Sequence, residues 1–136
     1  MARLIWLGLV AAVASIAGAD TTLIEWTFDQ PGDLRGWHPN GHLAEVKVGD
    51  GELRGKTSDW DPFLTSPVFE IPARPWQVVE LDIRTDQPGR GDLFWTNTLN
   101  TQYEGFTPEK HTPFDLPGGD AWQTVRISPL WHAEKK

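Results

Sequence analysis

The chain has no cysteine. That excludes disulfides, thiol catalysis and thiolate-held zinc. Methionine and tyrosine occur once each and histidine four times. The histidines, His38, His42, His111 and His132, show no H-x-x-x-H spacing, so no metal centre is expected from them. There is no G-x-S-x-G and no phosphate-cradling glycine loop. Basic residues are few: Lys and Arg total 12 against 19 Asp and Glu, a net charge of −7. An acidic surface repels phosphate backbones, which argues against a nucleic-acid partner. Beyond residue 19, no stretch has a convincing helical period.

One uncharged apolar run is present, from Leu4 to Ile16, behind the single cation Arg3. Ala17-Gly18-Ala19 follows as a small-x-small site. Together they read as a signal-peptide helix over residues 1–19, cleaved after Ala19. The run is shorter than the roughly 20 apolar residues of a membrane span, so no span is expected after cleavage. The expected product is one domain, residues 20–136, in a secreted or cell-envelope location. A chain above about 70–80 residues can bury a core without staples.

Past the leader, short alternating runs are broken by Gly, Pro, Asn and Asp, which is the pattern of an antiparallel β domain. Residues 23–28 place Ile24, Trp26 and Phe28 on one face. Residues 42–48 place Ala44, Val46 and Val48 inward, and Gly49-Asp50-Gly51 supplies a tight hairpin turn. Residues 52–57 return. Residues 63–64 are extended, and 68–71 form an edge strand between Pro67 and Pro72. Residues 76–85 are the longest strand, with Val79, Leu81 and Ile83 inward. Residues 87–91 turn, 92–96 are strand, and 97–109 form a polar loop. Strands at 111–116 and 121–128 follow, the latter with Val125 and Ile127 inward. The expected core adds Phe69 and Phe94. This spacing fits an all-β, two-sheet antiparallel β-sandwich of jelly-roll type.

Tryptophan is abundant for the length: 8 in all. Two uses compete. Indoles fill the space between sheets, and exposed indoles offer a flat face on which a sugar ring stacks. The carboxylates fall mostly at outward strand positions or in turns, where solvated surface is the simpler reading. Asp29 and Asp33 sit where a loop near the first strand could hold calcium. Two side-chain ligands fall short of the six to eight oxygens calcium takes, and turn formation by Asp29 accounts for it better. No metal and no cofactor is therefore expected. Trp60 lies where a loop meets a strand, beside Asp61. Placing Phe94 in the core sends Trp95 to the opposite face. Asn97, Asn100, Gln102 and Tyr103 follow as directional hydrogen-bonding neighbours.

Trp26-Thr27-Phe28-Asp29, Gly32-Asp33-Leu34 with Gly36-Trp37, Asp61-Pro62-Phe63-Leu64 with Ser66-Pro67, Leu93-Phe94-Trp95-Thr96, Phe106, Phe114 and Trp122 resemble a family of secreted bacterial modules. These have a galactose-binding-like jelly-roll fold, similar to carbohydrate-binding modules, and are often appended to larger surface proteins. The resemblance spans almost all of residues 20–136. It implies glycan binding by analogy, since one fold hosts many functions. In that pattern an Arg-containing strand and a final strand close the sandwich after a tryptophan. Here Trp131 is followed only by five residues, so the resemblance implies a domain lacking its closing strands.

The expected function is non-catalytic binding of a glycan or glycoconjugate. Trp60, Trp95 and Tyr103 would supply the aromatic surface, with Asp61, Asn97 and Gln102 as polar partners. The expected state is a monomer or part of a larger assembly. The competing reading is a structural or protein-interaction sandwich, a remnant of a larger surface protein. An enzyme is the reading with least support, because no paired carboxylates or activated nucleophile stand out.

Overall fold

Alternation of apolar and polar residues, cut at Gly and Pro, gives an all-β chain. A computed structural model describes residues 4–16, 19–98 and 105–133. Its strands are β1 (Leu4–Ile16), β2 (Ala19–Thr27), β3 (His38–Pro39), β4 (Leu43–Gly49), β5 (Glu52–Thr57), β6 (Leu64–Thr65), β7 (Gln77–Thr85), β8 (Pro88–Phe94), β9 (His111–Pro117) and β10 (Gln123–Ile127). A 3-10 turn, Trp131–Ala133, ends the described chain. The main sheet has six strands in the order β10-β7-β1-β5-β4, with β2 also paired to β1. β3 with β6 and β8 with β9 form two-stranded sheets. All pairings are antiparallel. β9 packs on β7 and β10. The architecture is compatible with a β-sandwich.

The stretch expected as a leader helix is a strand here. Residues 5–14 of β1 pair with 77–85 of β7 along one edge. Along the other edge, residues 4–7 pair with 53–56 of β5, and residues 9–16 pair with 19–27 of β2. The physical reason is an ambiguity in the pattern. An unbroken apolar run suits a strand covered on both faces as well as it suits a buried helix. Ala17 and Gly18 of the expected cleavage site lie outside the described residues.

The core gathers Trp26, Phe28, Val48, Leu53, Val79, Leu81, Trp95, Ile127 and Trp131. Ile24, Val46 and Val125, expected inside, are half-buried and pack against it. Trp37 meets Trp26 edge-on, with ring centroids 5.3 Å apart. β7 shows the clearest period of two, burying Gln77, Val79, Leu81, Ile83 and Thr85 in turn. Ile83, also expected inside, is buried on that face.

Three expectations are corrected. Trp95 is 8% exposed and Phe94 50%, the reverse of the expected register. Leu-Phe-Trp offers an apolar side chain to both faces. The face carrying Leu93 and Trp95 buries more apolar area than the face carrying Phe94 alone, and it wins. Phe94 instead stacks on His111, with centroids 5.4 Å apart. Residues 68–71 do not form a strand, because the flanking prolines offer no donors and the described residues provide no ladder partner. Phe69 is consequently exposed, although it leans on Trp26 at 5.3 Å. The turn after β7 is also shorter than expected, since β8 already starts at Pro88, a position where a strand tolerates proline.

The Gly49-Asp50-Gly51 turn forms as its sequence implies. Gly49 pairs with Glu52, and the two residues between them have φ of 55° and 77°, as a type I′ turn demands. One feature of the same hairpin has no sequence signal. The register slips between Ala44 and Lys47, and Glu45 sits at φ 53°. This bulge lies opposite the buried Gly55, where a Cβ would come within 3.1 Å of Leu43.

Candidate functional site

The site begins with Asn40, in the Pro39-Asn40-Gly41 turn after β3. Its side-chain oxygen accepts the backbone N–H groups of His42 (3.2 Å) and Phe63 (3.1 Å). Its amide nitrogen donates to the Asp61 carbonyl at 2.8 Å. The Asn40 N–H donates to the Phe63 carbonyl at 3.0 Å, and the Ser58 N–H donates to the His42 carbonyl at 2.9 Å. The loop from Ser58 to Phe63 is thus tied at several points to the segment 40–42. Asp59 bonds the Trp60 N–H through Oδ1 at 2.8 Å.

Trp60 stands out from this tied loop with 83% of its surface exposed. His42 braces it at 5.9 Å between centroids, tilted by 53°. An open groove of about 570 Å³ runs beside it, lined by Ala44, Glu45, Lys56, Ser58, Asp59 and Trp60 among others. Glu45 enters this lining at the bulge, so the left-handed residue of β4 is also a groove residue. The groove therefore offers one large indole, carboxylates, an ammonium and a hydroxyl, with His42 Nε2 lying 3.9 Å from Asp59 Oδ2. Such a set can stack a ring and direct hydrogen bonds to its edge; it has no evident nucleophile–base pair.

Of the sequence-derived site residues, Trp60 and Asp61 come together on this loop. Asp61 contributes its main-chain carbonyl to the Asn40 tie. Trp95 is a core residue and offers no open face. Asn97 is exposed beyond the end of β8 and does not line the groove. Gln102 and Tyr103 lie outside the described residues, as does Asn100. Sequence reasoning missed Asn40, Asp59, Glu45 and Lys56. The Asn40-Gly41 dipeptide was the available signal for a structured turn. The bulge that brings Glu45 in has no such marker.

A second open cleft, of about 580 Å³, lies beside Trp122. Asp29, Asp50, Glu52 and Asp82 line it, and local partners engage these carboxylates. Thr124 Oγ1 donates to Asp82 at 2.6 Å, Thr27 Oγ1 to Asp29 at 3.3 Å, and Arg54 to Asp50 at 3.1 Å. The Arg84 guanidinium lies 5.6 Å from the Trp122 ring centre. Asp33 accepts the Arg35 N–H at 2.9 Å, a turn-forming bond. Among the described residues, no group of three or more His, Asp or Glu is placed to hold a metal. Comparison with family models, with curated proteins and with solved structures gives no match.

Proposed function

We propose that the chain is a non-catalytic carbohydrate-binding module of jelly-roll type. It acts outside the cytoplasmic membrane after export on residues 1–19, and the face of Trp60 is its stacking platform. One observation carries this reading: the most exposed large aromatic among the described residues sits on a loop fixed by Asn40 and Asp59. An indole left in water costs free energy unless a ligand covers it, and a fixed ring loses little entropy when one does. Lys56, Ser58, Asp59 and Glu45 supply donors and acceptors for hydroxyls at the ring edge. The resemblance to galactose-binding-like modules points the same way.

The test is a glycan array probed with the full chain, followed by calorimetry on any hit with Trp60→Ala. Loss of a stacking contact of about 1 kcal/mol weakens binding roughly fivefold. Unchanged affinity in a folded variant would overturn the assignment of the site. A protein-interaction module is the second reading. The exposed Phe63, Val68 and Phe69 favour it, because one short segment leaves three large apolar side chains in water. An array with no hit at all would favour that reading.

A further inference from the structure

The lining of the Trp60 groove carries unequal charge. Glu45 and Asp59 bring two carboxylates, and Lys56 brings one ammonium. Asp61, exposed next to Trp60 in the chain, adds to the negative field, and the whole chain carries −7. Asp59 is already engaged: Oδ1 accepts the Trp60 N–H, and Oδ2 lies 3.9 Å from His42 Nε2. Among the described residues, neither Glu45 nor Lys56 enters an ion pair. Lys56 lies opposite Ala44 in the ladder, which offers it no charge.

The backbone at Glu45 bears on its role. Its φ of 53° is a conformation that Gly and Asn take readily and Glu does not. The chain nevertheless keeps a carboxylate there, exposed on the groove wall and without a cation of its own. An indole beside such a carboxylate is suited to hold a cation. The ring quadrupole attracts positive charge, and the carboxylate accepts charged N–H groups. A neutral sugar would use the ring alone. An acidic sugar would meet Glu45 and Asp59 as like charges.

We infer that the groove selects an amino sugar, a pyranose carrying a protonated amine, with its ring on Trp60 and its ammonium at the Glu45 carboxylate. The inference rests on the reading of Trp60 as a stacking platform and adds the charge of the ligand. Glu45 sets the preference, and Lys56 opposes it.

The test is calorimetry of the full chain with tetramers of one linkage, built from glucosamine, glucose or glucuronic acid. The buffer is held at about pH 6, where Asp and Glu stay ionised. The glucosamine tetramer should bind about three- to thirtyfold tighter than the glucose tetramer, and the glucuronic acid tetramer more weakly than both. Glu45→Gln should weaken glucosamine binding about two- to fivefold and leave glucose binding unchanged. Lys56→Gln should strengthen glucosamine binding by up to about twofold. Trp60→Ala should weaken both. Trp60-dependent binding that is equal for glucosamine and glucose overturns the inference and leaves the platform standing. Glucosamine binding that ignores Trp60→Ala or Glu45→Gln is adhesion to the acidic surface and overturns it too. No binding of any tetramer also overturns it, and the glycan array then decides on the platform.

Discussion

The indole N–H of Trp131 donates to the side-chain oxygen of Gln77 at 2.7 Å, joining the end of the described chain to the first residue of β7. Gln77 is 3% exposed. The same oxygen accepts the Arg74 N–H at 2.8 Å, and the Gln77 amide donates to the Pro72 carbonyl at 2.7 Å. A buried amide with its polar atoms paired is a fixed point, because any shift leaves a desolvated group unmade. Among the described residues, the segment after β10 forms no strand. Instead it places Trp131 in the core and buries Pro129.

Replacing Gln77 by Leu orphans the Trp131 and Arg74 donors together. The Trp131 donor is buried and the Arg74 N–H can turn to water, so at about 1–3 kcal/mol for a buried unsatisfied group the loss should exceed about 1 kcal/mol in urea denaturation. A double-mutant cycle with Trp131→Phe should show coupling of at least about 0.5 kcal/mol. Additive effects would mean the bond contributes nothing.

Leu81 lies mid-strand on the buried face of β7. Leu81→Ala should cost about 2–5 kcal/mol. A loss below about 1 kcal/mol, as at tolerant surface positions, would contradict the placement of β7 in the core.

The neighbours Phe94 and Trp95 separate the expected register from the observed one. Trp95→Ala should cost about 3–5 kcal/mol, as for a buried aromatic, and Phe94→Ala much less. The opposite order would restore the expected register. Before the structure, nothing distinguished the two, because Leu93-Phe94-Trp95 has no polar member to mark the solvent side. β7 was legible for the opposite reason: Glu80, Asp82 and Arg84 alternate with Val79, Leu81 and Ile83, and only one register buries the apolar set. The turn at Asp50-Gly51 was legible because positive φ selects those residues. At the site, Trp60 could be picked out by its loop setting. Its groove could not, since a bulge at Glu45 and ties from Asn40 come from pairings distant in sequence. β1 was misread as helix because an apolar run carries composition without period.

Gly118 has φ of 66°, and a Cβ there would lie 2.4 Å from the backbone nitrogen of Pro88. Its N–H donates to the buried Thr85 hydroxyl at 2.7 Å. Gly118→Ala meets both the left-handed penalty of about 1–2 kcal/mol and a backbone clash. A loss of at least about 2 kcal/mol in thermal or urea unfolding is expected. By contrast, Gly119→Ala, with φ of 73° but open space around it, should show the conformational penalty alone. Equal losses at the two positions would mean that Pro88 does not crowd Gly118.

Asn40 separates platform rigidity from platform presence. Asn40→Asp keeps the acceptor for the His42 and Phe63 N–H groups. It replaces the donor to the Asp61 carbonyl with a second oxygen, 2.8 Å from that carbonyl if nothing moves. Two oxygens at that distance repel, so the loop should release at Asp61 while Phe63 stays tied. The site is exposed and water can satisfy the freed carbonyl, so the stability change should be small, about 1 kcal/mol or less. Binding should suffer more than stability, because a loosened Trp60 must be ordered again when a sugar stacks on it, at a cost of about 0.5–1.5 kcal/mol for a side chain. That corresponds to a loss of affinity of roughly two- to tenfold for any glycan the wild-type chain binds. Hydrogen exchange at the Phe63 amide should stay slow while acrylamide quenching at Trp60, taken as the difference from Trp60→Phe, rises. If quenching and affinity both remain at wild-type values in Asn40→Asp, the Asn40–Asp61 bond does not hold the platform, and the rigidity on which the sugar-binding proposal rests has another source or none.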